Sequence, residues 1–270
     1  MMSACLHNIS IAAVHPASMT MSPAVRSVGV GTGGPAVVSD IVVMTGRQQW
    51  RRVVLRTPWL TASDDLGAVL LEALAAVPGG EPLPGDVVAL AEKVTVVTSD
   101  RVVQPRRPGA LAKLLARAVR PVGISYGLSL PGKMQYVIDD AGRVRVVGAA
   151  LVAAVCRTLG IRGVFYRLAG ATARDLDGLS GAYTDELLPP LRPTEAAMLA
   201  HHLSIRVGRA VAIVDVNDRG GTVRSAPAGG PSPAELLAVL ADNPYGHCAQ
   251  STPVVLLRPL RTVPLQRAPS

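Results

Sequence analysis

Short apolar runs bounded by turn-forming residues constrain the fold of this chain more than any other feature of the sequence. Four of them have the length and the Val, Ile and Leu content of β-strands, and they lie at residues 53–55, 87–91, 210–214 and 253–257. A further β-rich run at residues 94–97 predicts another strand. Aromatic residues are only 3% of the chain although 49% of it is hydrophobic, so the core must be built from aliphatic side chains.

Segments with helical periodicity lie between these runs. Ser63 is placed to cap a helix whose apolar positions follow a spacing of three and four residues, and a Pro-Gly-Gly sequence at 78–80 ends it. A second amphipathic helix is predicted around residues 111–118, a third begins at Pro193, and Ser232 opens a capping box before a fourth. The strands and helices do not alternate regularly, so the sequence predicts an α+β fold rather than a doubly wound sheet.

The middle of the chain is less regular. Residues 143–169 predict a buried strand or helix followed by a strand at 163–168. The longest apolar run, residues 146–156, is shorter than the ~18–20 residues that a membrane span needs, and it predicts a buried element. We therefore expect no membrane partner and a cytoplasmic protein. The three cysteines are scattered and have no C-x-x-C spacing, which favours a reducing compartment over a disulfide framework or a zinc site.

Periodicity is confined to the central part of the sequence. Residues 1–50 are rich in Ser, Gly, Pro and Ala, without strand or helix periodicity up to about Thr45, and are predicted to form a disordered extension. Residues 51–258 are predicted to form one globular domain of one or two subdomains, and residues 259–270 an irregular tail.

Lys and Arg number 27 against 19 Asp and Glu, which gives a formal net charge of +8. Such a charge indicates either a polyanionic partner, such as a nucleotide or a phosphorylated coenzyme, or a solvated basic surface. Nucleic acid is disfavoured because the basic cluster at residues 101–120 has no interleaved aromatic residues for base stacking. The sequence has no G-x-x-x-x-G-K-[ST] motif, so a nucleotide would not bind through a Walker A loop.

Two acidic clusters follow apolar runs and are candidate sites for a hard cation. Asp215, Asn217 and Asp218 come directly after the third apolar run, and carboxylates at strand ends are typical ligands of Mg²⁺ or Mn²⁺. The same residues also suit an ordinary turn, and the local sequence does not distinguish the two interpretations. Asp139 and Asp140 form a similar pair that is predicted to end a strand. Together the clusters suit a two-metal site if the fold brings them together.

Lys133 follows a Pro-Gly turn and precedes an apolar stretch. Its ammonium group would neutralise a phosphate or a carboxylate of a ligand. The alternative interpretation is an exposed loop lysine that is simply solvated.

The order of several motifs resembles one known family. The chain contains TPWLTASDDL at residues 57–66, PGDVVALAEKV at 84–94, a short basic strand RVV at 101–103, VAIVD at 211–215 and DNPYG at 242–246. In this order the motifs resemble the coenzyme F-420 gamma-glutamyl ligase family over roughly residues 51–258. The resemblance implies a gamma-glutamyl ligase-like fold with mixed sheets and packed helices.

Members of this family use GTP to activate a carboxylate as an acyl phosphate, which the amine of L-glutamate then attacks, and divalent metal ions neutralise the triphosphate. The resemblance therefore implies GTP as a substrate, Mg²⁺ or Mn²⁺, a small anionic acceptor and a homodimer. By motif position it places the nucleotide against Thr57, Pro58, Trp59, Leu60, Glu92 and Lys93. We expect catalytic roles for Lys133 and Asp215, and metal binding by Asp215, Asn217, Asp218, Asp139 and Asp140.

The chain departs from the family pattern at several positions. Glu92 stands where family members carry serine, Val97 where they carry lysine, and Val216 where they carry threonine. The family's central Ala-Asn-Ala-Gly-Val-Asp loop is replaced by residues 130–135. Two interpretations remain. Either the site is rebuilt with Lys133, Asp139 and Asn217, or the reaction has changed or been lost. If it has been lost, the chain is a non-catalytic ligand-binding or partner module on the same fold.

Overall fold

The computed structural model describes residues 34–46, 48–119, 127–180, 183–218, 220–246 and 251–262. Within these ranges the chain forms eight β-strands and nine α-helices, which confirms the predicted α+β class. The strands are β1 (Ala36–Thr45), β2 (Gln48–Arg56), β3 (Val87–Ala91), β4 (Asp177–Ser180), β5 (Tyr183–Leu188), β6 (Ala210–Asn217), β7 (Gly220–Ser225) and β8 (Val254–Thr262). The helices are α1 (Leu66–Ala75), α2 (Glu92–Thr98), α3 (Ala110–Ala118), α4 (Pro131–Ala141), α5 (Arg143–Thr158), α6 (Val164–Ala169), α7 (Ala171–Asp175), α8 (Pro193–Val207) and α9 (Pro233–Val239).

Six of these strands form one mixed sheet in the order β1-β2-β8-β3-β6-β7, and β4 pairs with β5 in a separate hairpin. The neighbours β3 and β6 run parallel, whereas the other neighbouring pairs are antiparallel. One row across the sheet joins Leu55, Val254, Leu90 and Ile213. Because β2, β3 and β6 run in the same direction, the chain leaves all three at the same edge of the sheet, just beyond this row.

Both faces of the central strands are buried. Val88 and Leu90 of β3 pack in a cluster with side chains of α1 and α8, whereas Val87 and Ala89 pack on the opposite face with Leu236 of α9. Successive residues of a strand point to opposite faces, so a strand covered on both sides needs apolar residues at every position. This double burial explains why β3, β6 and β8 are visible in the sequence as continuous apolar runs.

A second core lies among the helices α3 to α7. Its buried side chains are Ala112, Ala116, Leu128, Met134, Val137, Ile138, Val146, Ala149, Ala169, Ala173, Leu176 and Leu187. Leu187 of β5 packs in this core, whereas the next residue, Leu188, packs in the core of the sheet. We call α3 to α7 with β4 and β5 the helical half, and the six-stranded sheet with α1, α2, α8 and α9 the sheet half.

Three segments that the sequence predicts as strands are helical. Residues 94–97 lie in α2, residues 164–168 lie in α6, and residues 136–138 lie in α4. Their Val, Ile, Phe and Tyr content favours strands, but burial on one side of a helix overrides this weak preference. The buried residues of α4 are Lys133, Met134, Val137 and Ile138, at the three- and four-residue spacing of one helix face.

The apolar run at residues 146–156 lies in α5 and is mostly exposed, so the prediction of a buried element is wrong. Val146 and Ala149 are the buried residues of α5, whereas Leu151 and Val155 are 66% and 63% exposed. The run is apolar on all sides of the helix, so its hydrophobicity does not reveal which face packs. None of the helices in the described part of the chain combines the length and the apolar character that crossing a membrane requires.

The predicted boundaries also shift. Ala36–Thr45 forms β1 and pairs with β2, so this segment is not part of a disordered extension, while residues 1–33 lie outside the described residues. β8 continues to Thr262, into the predicted irregular tail. Asp65, not Ser63, caps α1, because its carboxylate accepts hydrogen bonds from the backbone N–H groups of Gly67 at 3.0 Å and Ala68 at 3.3 Å. The predicted capping box of Ser232 is confirmed at the start of α9.

Candidate functional site

A cleft of about 790 Å³ lies at the edge of the sheet where β3 and β6 end. The parallel pairing of Ala91 with Val214 brings Glu92, which follows β3, beside Asp215 in the last part of β6. The sheet half contributes Glu92, Lys93, Asp215, Asn217 and Asp218 to the lining of the cleft. The helical half contributes Arg174, Asp175 and Asp177 from the end of α7 and the start of β4. The cleft therefore lies between the two halves and is lined by charged groups of both signs.

Arg224 connects these groups from behind the lining of the cleft. The hairpin of β6 and β7 places it on β7, where its side chain is 7% exposed. Its Nε donates a hydrogen bond to Glu92 Oε2 at 2.9 Å, and its Nη1 donates one to Asp175 Oδ2 at 2.9 Å. Its Nη2 lies 3.7 Å from Asp215 Oδ2. One buried guanidinium thus contacts carboxylates from three separate segments of the chain.

Glu92 is held firmly at the start of α2. Its second carboxylate oxygen, Oε1, accepts a hydrogen bond from the backbone N–H of Leu191 at 2.6 Å. Burial raises the pKa of Glu92, although the neighbouring charge of Arg224 and the hydrogen bond from Leu191 oppose the rise. Both oxygens of this carboxylate have protein partners, so Glu92 stabilises the junction of the halves and offers little to a ligand.

Asp215 differs from Glu92 because its side chain is 43% exposed at the cleft. Burial of part of the group raises its pKa, the charge of Arg224 opposes the rise, and the nearby carboxylates of Asp177 and Asp175 add to it. Crowded carboxylates of this kind favour either a proton or a bound cation. Asp215 is therefore the carboxyl group of the cleft that is best placed to meet a ligand.

The two acids of the helical half have pKa values below their ordinary range. Burial would raise the pKa of Asp175, but hydrogen bonds from Arg174 and Arg224 outweigh it. Burial would also raise the pKa of Asp177, but Lys93 outweighs it through an ion pair with an Nζ to Oδ2 distance of 2.6 Å. Both side chains of this ion pair are 49% exposed, so the pair lies at the mouth of the cleft.

Lys133 is not an exposed loop residue. It lies in α4, is 5% exposed, and its Nζ donates a hydrogen bond to the backbone oxygen of Leu176 at 3.1 Å. Burial lowers the pKa of this ammonium group, and the charge of Asp177 partly opposes the shift. Since Leu176 and Asp177 line the cleft, Lys133 supports its wall from behind and does not line it.

Asp139 and Asp140 lie on α4 and line a different, smaller cavity of about 330 Å³ together with Arg106 and Tyr136. Asp139 accepts a hydrogen bond from Gln135, and Asp140 accepts one from Thr172. The predicted two-metal site that would join this pair to Asp215 is therefore wrong, because α4 carries the two carboxylates away from the cleft.

The predicted nucleotide loop lies at the same sheet edge as the cleft but outside its lining. Thr57 follows β2 and donates its backbone N–H to the oxygen of Ser251 at 2.9 Å. Pro58, Trp59 and Leu60 come next in the chain; Leu60 is buried in the sheet core, and Trp59 is 51% exposed. Three strand spacings separate β2 from β6 in the sheet, which amounts to about 14 Å.

Whether the cleft can hold a divalent cation depends on whether phosphate oxygens or water supply ligands in addition to the protein. Among the described residues, no group of three or more His, Cys, Asp or Glu side chains is arranged to hold a metal ion. Mg²⁺ commonly needs only one or two protein carboxylates when phosphate oxygens and water complete its shell. The exposed carboxylate of Asp215, next to Asn217 and Asp218, fits a cation of that kind and does not fit a cage built from protein alone.

Sequence reasoning misses four charged residues of the site: Arg174, Asp175, Asp177 and Arg224. The Asn-Asp-Arg-Gly-Gly sequence at 217–221 is a signal for a hairpin, and a hairpin would have placed a basic residue of β7 beside β6. The other three belong to short elements of the helical half that have no strong local pattern.

No protein-family model matches this chain, and no curated protein matches it either.

Proposed function

We propose that this chain is a divergent gamma-glutamyl ligase-like enzyme that forms an amide bond between L-glutamate and the carboxylate of a small anionic acceptor. In this proposal the reaction requires GTP as a substrate and Mg²⁺ or Mn²⁺ as the cation. One observation carries it: Glu92, Lys93, Asp215, Asn217 and Asp218 line a single cleft although they come from motifs far apart in the chain. They do so at the carboxyl ends of two parallel strands, where α/β sheets commonly bind their ligands.

The reaction has two steps, a phosphoryl transfer followed by an acyl transfer. The acceptor carboxylate takes the γ-phosphoryl group of GTP, giving GDP and an acyl phosphate; the amine then displaces phosphate, forms the amide and releases one proton. A divalent cation, when bound, neutralises the charge of the triphosphate. Asp215 would hold it, with Asn217 and Asp218 beside it. A nucleotide laid along the sheet edge would run from the loop at Thr57 towards Asp215.

The charged side chains of the cleft then have separate tasks. Lys93, half exposed at the mouth of the cleft, is placed to attract an anionic substrate. Arg224 and Glu92 hold the sheet half against the helical half, so that Asp175 and Asp177 face Asp215 across the cleft. Charges that are already fixed in position stabilise the transition state of a reaction, because they do not have to reorganise as its charge develops.

A non-catalytic ligand-binding module on the same fold is the second candidate, and one observation favours it. Val97, which stands where the family has a lysine, is 5% exposed and packs in the core of the sheet half. A catalytic cation has therefore been replaced by a core residue, and the cation nearest in the chain, Lys93, is paired with Asp177.

Calorimetry with GTP and Mn²⁺, alone and together, tests the proposal. We expect each ligand to strengthen the binding of the other, because the cation needs oxygens from both protein and phosphate. Asp215→Asn should weaken metal-dependent GTP binding by about ten-fold, or about 1.4 kcal/mol. Asp139→Asn is the matched control, since it removes the same charge from the other cavity and should leave binding unchanged.

Equal loss in the two variants, or no loss in Asp215→Asn, would remove the metal–nucleotide assignment. Turnover separates the two candidates once binding is established. Release of GDP that requires both L-glutamate and an acidic acceptor identifies a ligase, whereas bound GTP that stays intact with every acceptor identifies a binding module.

A further inference from the structure

The Arg224 guanidinium is bound on two of its three nitrogens. Nε and Nη1 donate to Glu92 and Asp175, whereas Nη2 is buried and makes no hydrogen bond. A charged donor without a hydrogen bond is unusual in a protein interior, because losing water without gaining a partner is costly. The structure thus holds a buried cation, 7% exposed, with one donor atom unused beside a charged cleft.

The carboxylate nearest to this donor does not satisfy it. Asp215 Oδ2 lies 3.7 Å from Nη2, beyond the range of a hydrogen bond. The Asp215 side chain also lines the cleft and is 43% exposed, so it has room to turn. Rotation of Asp215 into the cleft is the shortest route by which a group in the cleft reaches Nη2.

Other buried arginine nitrogens also lack hydrogen bonds, and they differ in position. They are the Nε atoms of Arg52, Arg101 and Arg209. Arg224 is distinguished among the described residues because its unused atom is a terminal nitrogen and because each carboxylate around it, on Glu92, Asp175 and Asp215, belongs to the lining of the cleft.

We propose that Arg224 Nη2 is the binding point for a carboxylate group of the ligand, and that Asp215 covers this point until it turns away. A carboxylate group suits the position better than a phosphate group. One nitrogen remains for one oxygen, and the single charge of the bound carboxylate group is repelled less by Glu92 and Asp175 than the double charge of a phosphate group is.

This inference rests on the proposed function in one respect, since it assigns the subsite to the acceptor's carboxylate. In that reaction a bound cation would compete with Arg224 for the carboxylate of Asp215. An Asp215 side chain turned towards the cation would leave Arg224 Nη2 available, so binding of metal and nucleotide should strengthen binding of the acidic acceptor. Such reciprocity follows from linkage between two sites that bias one side chain.

The subsite itself is tested without metal and without nucleotide. Glutarate is titrated into the full-length protein at fixed ionic strength, with acetate and inorganic phosphate as the comparison ligands. In Asp215→Asn the covering carboxylate loses its attraction to Arg224, so glutarate should bind about five-fold more tightly or better than in the wild type. Asp139→Asn is the matched control, because it removes the same negative charge from the other cavity, and should change binding less than about two-fold.

Three results would overturn the subsite. The first is an Asp215→Asn variant that binds glutarate no more tightly than the wild type. The second is an equal gain in Asp139→Asn, which would assign the effect to general charge. The third is tighter binding of phosphate than of glutarate, which would overturn the ligand class.

The guanidinium resonances give a second measurement that does not require a folded Arg224 variant. In nitrogen-labelled Asp215→Asn protein, glutarate should shift the side-chain resonance of Arg224. A shift of Arg174 instead, whose side chain is 57% exposed at the cleft, would place the ligand elsewhere and overturn the assignment. Arg224→Lys in the Asp215→Asn background, if it folds, should abolish the five-fold gain, because one ammonium group cannot hold Glu92, Asp175 and a ligand together.

The two proposals fail separately. Tighter glutarate binding in Asp215→Asn together with no coupling between GTP and Mn²⁺ would keep the Arg224 subsite and remove the ligase. Coupling without tighter glutarate binding would keep the ligase proposal and remove the subsite.

Discussion

The sheet half and the helical half are built on different principles, although they share one cleft. In the sheet half the central strands β3, β6 and β8 are covered on both faces, and buried ion pairs such as Arg258 with Asp86 tie strands directly to loops. In the helical half five of the twelve buried core residues are alanine, and α5 leaves Leu151 and Val155 exposed. The sheet half therefore places its charged groups at the ends of well-covered strands, whereas the helical half contributes Arg174, Asp175 and Asp177 from short elements.

The largest difference between the halves is expected at their ion pairs. Asp86 of the sheet half is 1% exposed, and its two oxygens accept hydrogen bonds from Arg258 Nε and Nη2, each at 2.8 Å. Asp86→Ala should cost about 3–5 kcal/mol in the free energy of unfolding, because Arg258 is left buried without its counter-charge. In the helical half, Asp139→Ala should cost only about 0–1 kcal/mol, since Arg106 is 83% exposed and 4.0 Å away. Urea unfolding measures both, and equal costs would contradict the comparison.

Acid titration of the same residue sharpens this prediction. Burial would raise the pKa of Asp86, but the hydrogen bonds from Arg258 outweigh it and hold the folded-state pKa below its ordinary value. The stabilisation is therefore complete above the unfolded-state pKa, at about pH 4, and is lost as the pH falls through the folded-state pKa. The difference in unfolding free energy between wild type and Asp86→Asn should shrink below about pH 4. A difference that stays constant down to pH 2 would exclude Asp86 as the titrating group.

The same contrast explains what the sequence could predict. β3, β6 and β8 are recognised because double burial requires continuous apolar runs between turn signals. α2 and α6 are missed because they are short and rich in β-branched or aromatic residues. α4 is missed because the run Tyr-Val-Ile at its centre has the composition of a strand, and only the packed structure shows which face is covered. α5 is apolar on all sides, so its periodicity does not show that most of it is exposed.

The residues of the site likewise fall into those that the sequence predicts and those that it does not. Glu92, Lys93 and Asp215 follow recognisable strands, and the sheet brings their positions together as expected for parallel neighbours. The contact of Arg224 with Glu92 spans 132 residues, and its contact with Asp175 spans 49. Contacts at such separations depend on how the two halves pack, and no local pattern encodes them.

Two leucine truncations compare a buried position of the sheet half with an exposed position of the helical half. Leu70 on α1 is fully buried in the sheet half, so Leu70→Ala should cost about 2–5 kcal/mol. Leu151 on α5 is 66% exposed, so Leu151→Ala should change stability by less than about 0.5 kcal/mol. Thermal and urea unfolding give both values. A cost of several kcal/mol for Leu151→Ala would mean that another molecule or segment covers α5 and that the contrast between the halves does not hold.

The smallest expected effect concerns helix caps within the sheet half, where two serines look alike in the sequence. Ser232 caps α9: its Oγ accepts from the backbone N–H of Glu235 at 3.3 Å, and Glu235 Oε2 accepts from the backbone N–H of Ser232 at 2.8 Å. Ser63 is predicted to cap α1, but its hydroxyl lies 2.9 Å from the hydroxyl of Thr61. The backbone N–H groups of the first turn of α1 donate to the carboxylate of Asp65 instead. Ser232→Ala should therefore cost about 1 kcal/mol, and Ser63→Ala clearly less. The two variants make the same chemical change, so their difference in unfolding free energy isolates the cap. If Ser63→Ala costs as much as Ser232→Ala, then Ser63 contributes to the start of α1, and the sequence-based cap prediction is better than the structure indicates.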